Sequence, residues 1–371
     1  MKKFLKRFWV FIPLILAAAM FFLLPYFPGF TEYVCSRGLF KIVTYPLGFI
    51  TSLIPISLTE LAVVLAFPAF VFVVVFLIIK VKKSKQRGKT LLYAGKVFCG
   101  TLSFACLMYM ICHGANYYRY PLEVNMGFET TGEAQTPSSE DLYEVCIILS
   151  EGAAAARAEL GLAEDEVYTF SESIYTELLR TNNGYDKLAE EYPFLKNTVL
   201  RQKPVMLSKA WSYTGIVGMY FPFFAECNVN TEQPDYAIPF TAAHESAHSR
   251  GIAFENECNF LAFLSCINSD YPEFRYSGYM EALKYCSNEL LSADFDLWVQ
   301  WKSSQQSVTQ GMQQDYTGMN EYIDDHEGEV NEVSGKVNDT FITVQGVPEG
   351  ARSYNRVTEL IMKYYANQKS E

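Results

Sequence analysis

The chain has 371 residues, half of them hydrophobic, and a formal net charge of −11. The charge is divided unevenly: residues 1–120 hold 14 Lys and Arg but only two acids, which from totals of 30 and 41 leaves 16 basic and 39 acidic residues in the remainder. So acidic a remainder excludes nucleic acid as a partner, because phosphate binding needs a basic face.

Three apolar runs near the N-terminus predict membrane-spanning helices over residues 9–27, 59–79 and 92–112, each close to the length of about 20 residues that a bilayer core requires. The first run follows MKKFLKR, so a cleaved signal peptide is the alternative to an anchor. No small-x-small cleavage site follows it, and we expect the anchor to be retained. Basic clusters at 2–7 and 80–89 then share one side, which the positive-inside rule assigns to the cytoplasm. This predicts a multi-pass cell-membrane protein with a cytoplasmic N-terminus and an extracytoplasmic domain.

The remaining organisation follows from these spans. Residues 1–113 form the predicted transmembrane region, 114–139 a juxtamembrane segment and linker, and 140–371 the predicted extracytoplasmic domain. Within the first region, the apolar stretch 39–56 contains two prolines and is expected at the membrane interface rather than as a fourth span. Nine cysteines follow no paired spacing, so buried free thiols are expected.

Helical periodicity dominates the predicted domain. Ser138 and Asp141 resemble a capping box at the start of its first helix. The segment 204–230 lacks a helical period and predicts short strands or a hairpin, with Gly215 and Gly218 at turns. The predicted fold is therefore mostly α, with three N-terminal transmembrane helices followed by a mainly helical domain with a small sheet. The expected helices of the domain cover 138–160, 172–181, 184–191, 240–250, 254–268, 277–303, 305–334 and 352–367.

The candidate catalytic residues lie in one segment, TAAHESAHSRGIAFENECNF at 241–260. His244 and His248 are four residues apart, so a helix places both on one face, where two imidazoles can bind one metal ion. Glu245 can reach a metal-bound water and take its proton as general base. The chain has only four histidines, and the residues around these two are apolar or small, unlike a solvated helix face.

A catalytic zinc site needs a third protein ligand. If two helices form a tight hairpin around Gly251, His248 and Glu255 lie at equal distances from the bend, as do His244 and Asn259. This makes Glu255 the preferred third ligand and Asn259 a hydrogen-bond partner of a ligand imidazole. Glu257 is the alternative third ligand if the loop winds differently. Two imidazoles and a carboxylate suit Zn²⁺.

The segment HESAHSRGIAFENECNF resembles the zincin metallopeptidases, some of which carry Glu-x-x-x-Asn on the second helix, as in Glu255 to Asn259. The resemblance implies a zincin-like α+β domain. HExxHxxG also resembles the metzincins, but their third histidine would fall at Phe254, which rules out their ligand set. More broadly, GANYYRYP (114–121), SYTGIVGMYFPFFAECNVN (212–230), FRYSGYMEAL (274–283) and GARSYNRV (350–357) resemble an uncharacterised bacterial family of membrane proteins with a zincin-like domain of unknown function.

The resemblance also implies roles for other residues. By analogy with the edge strand of zincins, residues 223–230 line the cleft, with Asn228 and Asn230 facing the substrate; a core strand with turn asparagines is the alternative. Arg275, Tyr276 and Tyr354 are candidate oxyanion stabilisers on the same ground, although a structural role is the alternative for each. The other two histidines are expected outside the site, His113 at the membrane edge and His326 on the solvated surface.

Three functions are compatible with these observations. The first is a membrane-anchored zinc metallopeptidase that cleaves peptides or proteins at the outer membrane face. The second is a non-catalytic zinc-bearing module that binds partners in the cell envelope. The third, a transporter or sensor, is disfavoured because the spans hold no ionisable residue at mid-membrane, where transport sites are expected.

Overall fold

The computed structural model describes residues 8–128, 138–304, 308–345 and 356–370. These residues are mostly helical, with one small sheet, as the sequence predicts. The α-helices are α1 (Ile12–Leu23), α2 (Pro28–Phe30), α3 (Lys41–Ser52), α4 (Leu58–Lys83), α5 (Arg87–Cys112), α6 (Leu122–Asn125), α7 (Ser139–Leu160), α8 (Ile174–Arg180), α9 (Asn182–Glu191), α10 (Ser208–Ser212), α11 (Ile238–His248), α12 (Glu255–Ile267), α13 (Pro272–Ala293), α14 (Phe295–Ser304), α15 (Gln310–Asp325), α16 (Glu329–Val344) and α17 (Arg356–Ser370). The strands are β1 (Lys203–Pro204), β2 (Gly218–Phe221) and β3 (Glu226–Val229).

Three helical segments are long and apolar enough to cross a membrane: Trp9–Tyr26, Leu58–Lys83 and Arg87–Cys112. They coincide with the three predicted spans, and the described part of the chain has no fourth. Large apolar side chains along them, such as Phe67 at 76% and Phe98 at 70%, are exposed rather than packed against the domain. That exposure is what lipid-facing side chains require, and it supports a membrane protein.

The segment between the first two spans packs against the domain. A π-helix, Thr31–Phe40, joins α2 to α3, so these three elements form one continuous helical stretch. Lys41 Nζ donates to the carbonyl oxygen of Phe194 at 2.8 Å. A Cβ at Gly48 would lie 2.9 Å from a methyl group of Val199, so α3 approaches the domain closely at that glycine. The opposite face exposes Ile42 and Ile50.

The core of the domain lies between five helices. Helix α7 lies along α13, and α12 packs between α11 and α13 while α17 closes the far side. Apolar side chains that are 0% exposed, such as Leu149, Phe260, Phe263 and Ile361, fill the space between them. The predicted capping box begins α7: Ser138 accepts from the backbone of Asp141, and Asp141 accepts from the backbone of Ser138. All nine cysteines are free.

The sheet has the strand order β1-β3-β2, with β1 parallel and β2 antiparallel to β3. The predicted hairpin is therefore present as β2–β3. Gly215 has φ +70° and lies in a turn, as expected. Gly218 is not at a turn but opens β2, where it pairs with Val229.

Two helix predictions were too long. The helix expected over 277–303 is divided at Asp294 into α13 and α14, and Asp294 accepts from the backbone of Leu297 to begin the second helix. Within the stretch 305–334, α15 ends at Asp325 and α16 begins after Gly328. Residues 305–307 and 352–355 lie outside the described residues.

A buried ion pair joins the sheet to the membrane region. Lys203 Nζ lies 2.5 Å from Glu226 Oε2, and both side chains are 1% exposed. The same carboxylate accepts from the backbone N–H groups of Leu58 and Thr59, at 3.2 and 2.9 Å. Glu226 thus binds the positive end of the α4 dipole as well as a lysine. The first turn of α4 is thereby fixed to the sheet.

We expect Glu226→Gln to destabilise the protein by about 3–5 kcal/mol, because Lys203 would remain buried without a counter-charge. The measurement is the thermal unfolding of the full-length protein in detergent micelles. The matched control is Glu332→Gln, which removes an exposed pair with Lys336 (78% and 70% exposed for the lysine and glutamate side chains) and should leave the unfolding midpoint unchanged. Equal midpoints for the two variants would contradict this account.

Candidate metal centre

The tight reversal between α11 and α12 brings the predicted ligand residues of the two helices together. Helix α11 carries Pro239 in its first turn, where the missing N–H is harmless, and ends at His248. Gly251 has φ +85°, a conformation that favours glycine, and a Cβ there would lie 3.1 Å from the ring of Phe40. Helix α12 then begins at Glu255. The hairpin expected around Gly251 is therefore present.

His244, His248 and Glu255 converge at one point. One ligand atom of each residue lies within 4.8 Å of the others. His244 Nε2 is 3.1 Å from Glu255 Oε2, and His248 Nε2 is 3.7 Å from Glu255 Oε1. Ligands bound at about 2.0–2.2 Å to a tetrahedral ion lie roughly 3.3–3.6 Å from one another. The two measured separations lie on either side of this range, so the three side chains are close enough together to hold a metal ion.

Both imidazoles are oriented through the other ring nitrogen. His248 Nδ1 lies 2.9 Å from the carbonyl oxygen of Ile252, which can only accept, so Nδ1 carries the proton. His244 Nδ1 lies 2.7 Å from Asn259 Oδ1, the contact expected from the matched spacing. In both rings Nε2 therefore faces the cluster, where it can donate to Glu255 or, after losing that proton, offer a lone pair to a metal ion. Cys258 lies on the Nδ1 side of His248, at 3.3 Å, and so points away from the convergence point.

The two candidate carboxylates of α12 have different surroundings. Burial alone would raise the pKa of Glu255, but the His248 and His244 imidazoles beside it hold that pKa well below its usual range. Glu255 is therefore ionised, as a metal ligand must be. Glu257 accepts from the backbone N–H of Leu122 at 2.7 Å, and burial raises its pKa to about 7. Of the two, only Glu255 belongs to the cluster.

Glu245 lies between the cluster and the edge of the sheet. Its carboxylate accepts a backbone hydrogen bond from Tyr220 in β2, and a Cβ on Gly218 would lie 2.4 Å from Glu245 Oε1. Only a glycine at the start of β2 leaves room for this carboxylate. Burial raises the pKa of Glu245, although the neighbouring His244 and His248 imidazoles oppose the shift. β2 has β3 as its one strand neighbour among the described residues, so no strand pairs with its outer edge, where Glu245 accepts from Tyr220.

Buried charges hold the loop between α11 and α12, residues 249–254 (here called the metal loop), against the membrane region. Arg119 donates to both carboxylate oxygens of Glu32, at 2.7 and 2.6 Å, and to the carbonyl oxygen of Gly251 at 2.8 Å. The side chains of Arg119 and Glu32 are 3% and 0% exposed. Arg37 donates to Glu32 as well, at 2.6 Å. The loop that aligns α12 with α11 is thus bound to the helix that follows the first span.

His113 is the site residue that the sequence did not reveal. It follows the third span directly, and its ring centroid lies 5.8 Å from that of His248 and 6.2 Å from that of Tyr220. Tyr220 in turn stacks on His248 at 6.4 Å. His113 Nδ1 and the Tyr220 hydroxyl are buried and have no hydrogen-bond partner. The only indication in the sequence was that His113 is one of just four histidines, because no local spacing connects residue 113 with residue 248.

Burial lowers the pKa of His113 to about 3, with the nearby His248 acting in the same direction. The imidazole beside the cluster is therefore neutral at physiological pH. A neutral imidazole has one N–H donor and one acceptor nitrogen, so His113 can present a hydrogen bond to a ligand without adding charge.

Several residues expected at the site have other partners. Asn228 is 0% exposed and bonds to Ser57 and Thr59, and Asn230 is 0% exposed and bonds to Ser212. Strand β3, which contains Asn228 and ends just before Asn230, is the central strand of the sheet, and β2 is the edge strand near the cluster. The asparagines therefore do not face a cleft, and the alternative of a core strand holds.

The two described oxyanion candidates are also engaged elsewhere. Arg275 pairs with Glu159, and Tyr276 is 0% exposed and donates to Asp315 at 2.5 Å. Both have the structural role that was the alternative for them, while Tyr354 lies outside the described residues. His326 is not a freely solvated side chain, because its ring packs against Tyr213 with centroids 4.9 Å apart.

Comparison with known proteins gives a family without an assigned activity. A family model described as "Protein of unknown function (DUF3810)" matches residues 35–362, which include α4, α5 and the whole of the cluster. No curated protein and no solved structure matches the chain. Because the match covers most of its length, the chain belongs to the DUF3810 family of proteins of unknown function.

Proposed function

We propose that the chain is a membrane-anchored zinc metallopeptidase with a zincin-like domain. One observation carries the proposal: His244, His248 and Glu255 converge with ligand spacing, while beside them Glu245 lies against a strand edge that pairs with no other described strand. A structural zinc site needs four closed protein ligands, whereas the cluster found among the described residues has three, the number typical of catalytic sites.

The roles of the residues follow from their positions. His244, His248 and Glu255 would hold Zn²⁺, with Asn259 and the Ile252 carbonyl fixing the two rings. Bound there, the ion would supply Lewis acidity and bring the pKa of a water close to neutrality. Glu245 would take a proton from the attacking water and return it to the leaving amine. The Tyr220 N–H and the space at Gly218 orient this carboxylate.

The outer edge of β2, which pairs with no other described strand, supports a peptide as substrate. An extended peptide can add to an unpaired strand through main-chain hydrogen bonds. Glu245 accepts from Tyr220 on the side of β2 that does not face β3, so a peptide bound along this edge would run past the carboxylate. His113 and the Tyr220 hydroxyl are polar groups with unused hydrogen-bonding capacity beside the same edge, suited to an oxygen that gains negative charge in the transition state.

The orientation in the membrane is part of the proposal. The basic residues at 80–89 lie where α4 meets α5, at the ends of the spans remote from His113. By the positive-inside rule that end is cytoplasmic, which places the cluster at the outer face. The cluster then lies within a few residues of the bilayer, because His113 directly follows α5. Substrates would be peptides or proteins at the outer membrane surface.

Metal content tests the ligand set. We expect the purified full-length protein to bind about one zinc ion per chain, and His244→Ala to lose it, because two ligands do not hold zinc tightly. The measurement is elemental analysis after dialysis against trace zinc. His326→Ala is the matched control, since it removes a histidine outside the cluster, and it should retain the metal. Equal zinc in all three proteins would rule out this ligand set.

The general base is tested separately. We expect Glu245→Gln to retain zinc but to lose hydrolysis of a broad peptide library, because an amide cannot take the proton from the water. Glu257→Gln is the matched control: it makes the same change at a buried glutamate that bonds to Leu122 instead, and it should remain active. Unchanged activity or phenotype in Glu245→Gln, with zinc bound, would favour the non-catalytic module.

Gly218 gives a third test. We expect Gly218→Ala to retain zinc but to lower kcat/KM roughly 100-fold, because the new methyl group would displace the Glu245 carboxylate. Gly318→Ala in α15 has nothing within 4 Å of the added carbon and serves as control. Wild-type kinetics in Gly218→Ala would show that the position of Glu245 against β2 is unimportant.

A further inference from the structure

Helix α16 has an apolar stripe that the domain does not cover. Val330, Val333, Val337, Phe341 and Val344 are 59, 60, 65, 41 and 59% exposed. Their spacing of three and four residues confines them to a sector of about 80° at roughly 100° per residue. The four charged residues of the helix lie outside this sector, and two of them, Glu332 and Lys336, pair at 3.6 Å. An apolar stripe opposite a charged face is one property of helices that lie in a membrane interface.

The helix touches the domain at its two ends. Near its start, Asn331 Oδ1 would lie 3.0 Å from a Cβ placed on Gly215. Near its end, Ile342 is 2% exposed and packs in a cluster with Tyr117 and Ala253. Residues 335–341 between these contacts are all exposed. The middle of α16 is therefore not packed on the domain and bridges two separate supports.

Each of these two supports is close along the chain to residues of the candidate metal centre. Gly215 precedes β2, where Gly218 contacts Glu245. Ala253 lies two residues before the start of α12 at Glu255, and Tyr117 lies four residues after His113, with ring centroids 5.5 Å apart. Helix α16 thus runs from the β2 side of the cluster to the side formed by α12 and the end of α5.

The stripe is continuous with the membrane span. The Phe341 ring lies 5.9 Å from that of Tyr109, which is in the last turn of α5. Tyr109 also lines an apolar groove of about 420 Å³ between α1 and α5, together with Phe21 and Phe22. Phe341 therefore lies where the span leaves the bilayer, and the valines extend the apolar surface from that point.

We propose that the apolar stripe of α16 lies in the bilayer interface, with lipid acyl chains as its partner, and that α16 bridges the metal centre at the membrane surface. The continuity with Tyr109 favours lipid over a second copy of the chain or another protein. This contact with lipid does not depend on the identity of the metal or on any catalytic activity.

The experiment is photo-crosslinking of the full-length protein in lipid nanodiscs, with p-benzoylphenylalanine in place of Val333 or Val337. The matched controls carry the same residue in place of Glu332 or Lys336, on the charged face, and Leu102, which is 56% exposed within α5, is the positive control for lipid. Adducts are identified by mass spectrometry.

We expect lipid adducts at 333 and 337 to approach those at 102 and to exceed those at 332 and 336 by roughly fivefold or more. Crosslinks from 333 or 337 to a second copy or to another protein would overturn the proposal. So would lipid adducts that are no more frequent at 333 and 337 than at the two charged positions. The readout needs neither zinc nor turnover, so an inactive protein would refute the proposed peptidase without affecting this result.

Discussion

The position of the candidate metal centre depends on one interaction, the hydrogen bonding of the Arg119 guanidinium to three oxygen atoms. It holds Glu32, from the segment between the first two spans, and the carbonyl oxygen of Gly251, at the reversal between α11 and α12. A buried charge left without a partner is costly, so the membrane region and the metal loop are fixed together or not at all. The relative position of Glu255 and the two histidines follows from the conformation of that loop.

The ligand cluster was predictable because it is local. His244 and His248 are one helical turn apart, and Glu255 and Asn259 mirror them across a reversal that a glycine in the left-handed region permits. The spans were predictable from composition and length alone. By contrast, tertiary packing between elements far apart in sequence brings three other residues to the cluster: His113, Gly218 and Tyr220. The periodicity of the sequence does not predict such contacts. The helix ends at Ala293 and Asp325 were missed because neither interruption contains a proline, and apolar residues continue across the first of them.

The helices that are predicted to span the membrane make specific contacts with the domain and do more than attach it to the bilayer. The first turn of α4 is bound by Glu226, and Glu60 in the same turn accepts from the backbone of Met206 and Leu207 at 2.9 and 2.7 Å. The end of α5 delivers His113 to the cluster. A soluble fragment that begins after the spans would lack these contacts, so the isolated domain is a poor substitute for the full chain in any study of the site.

The π-helix Thr31–Phe40 has a consequence for how the sequence can vary. In this conformation side chains five positions apart share a face, which is how Glu32 and Arg37 meet. Removing one residue would tighten the segment to an ordinary helix and rotate everything before or after it by about a quarter turn. Phe40 could then no longer face Gly251 while Glu32 faces Arg119. The length of this segment, more than its composition, should therefore resist insertion and deletion.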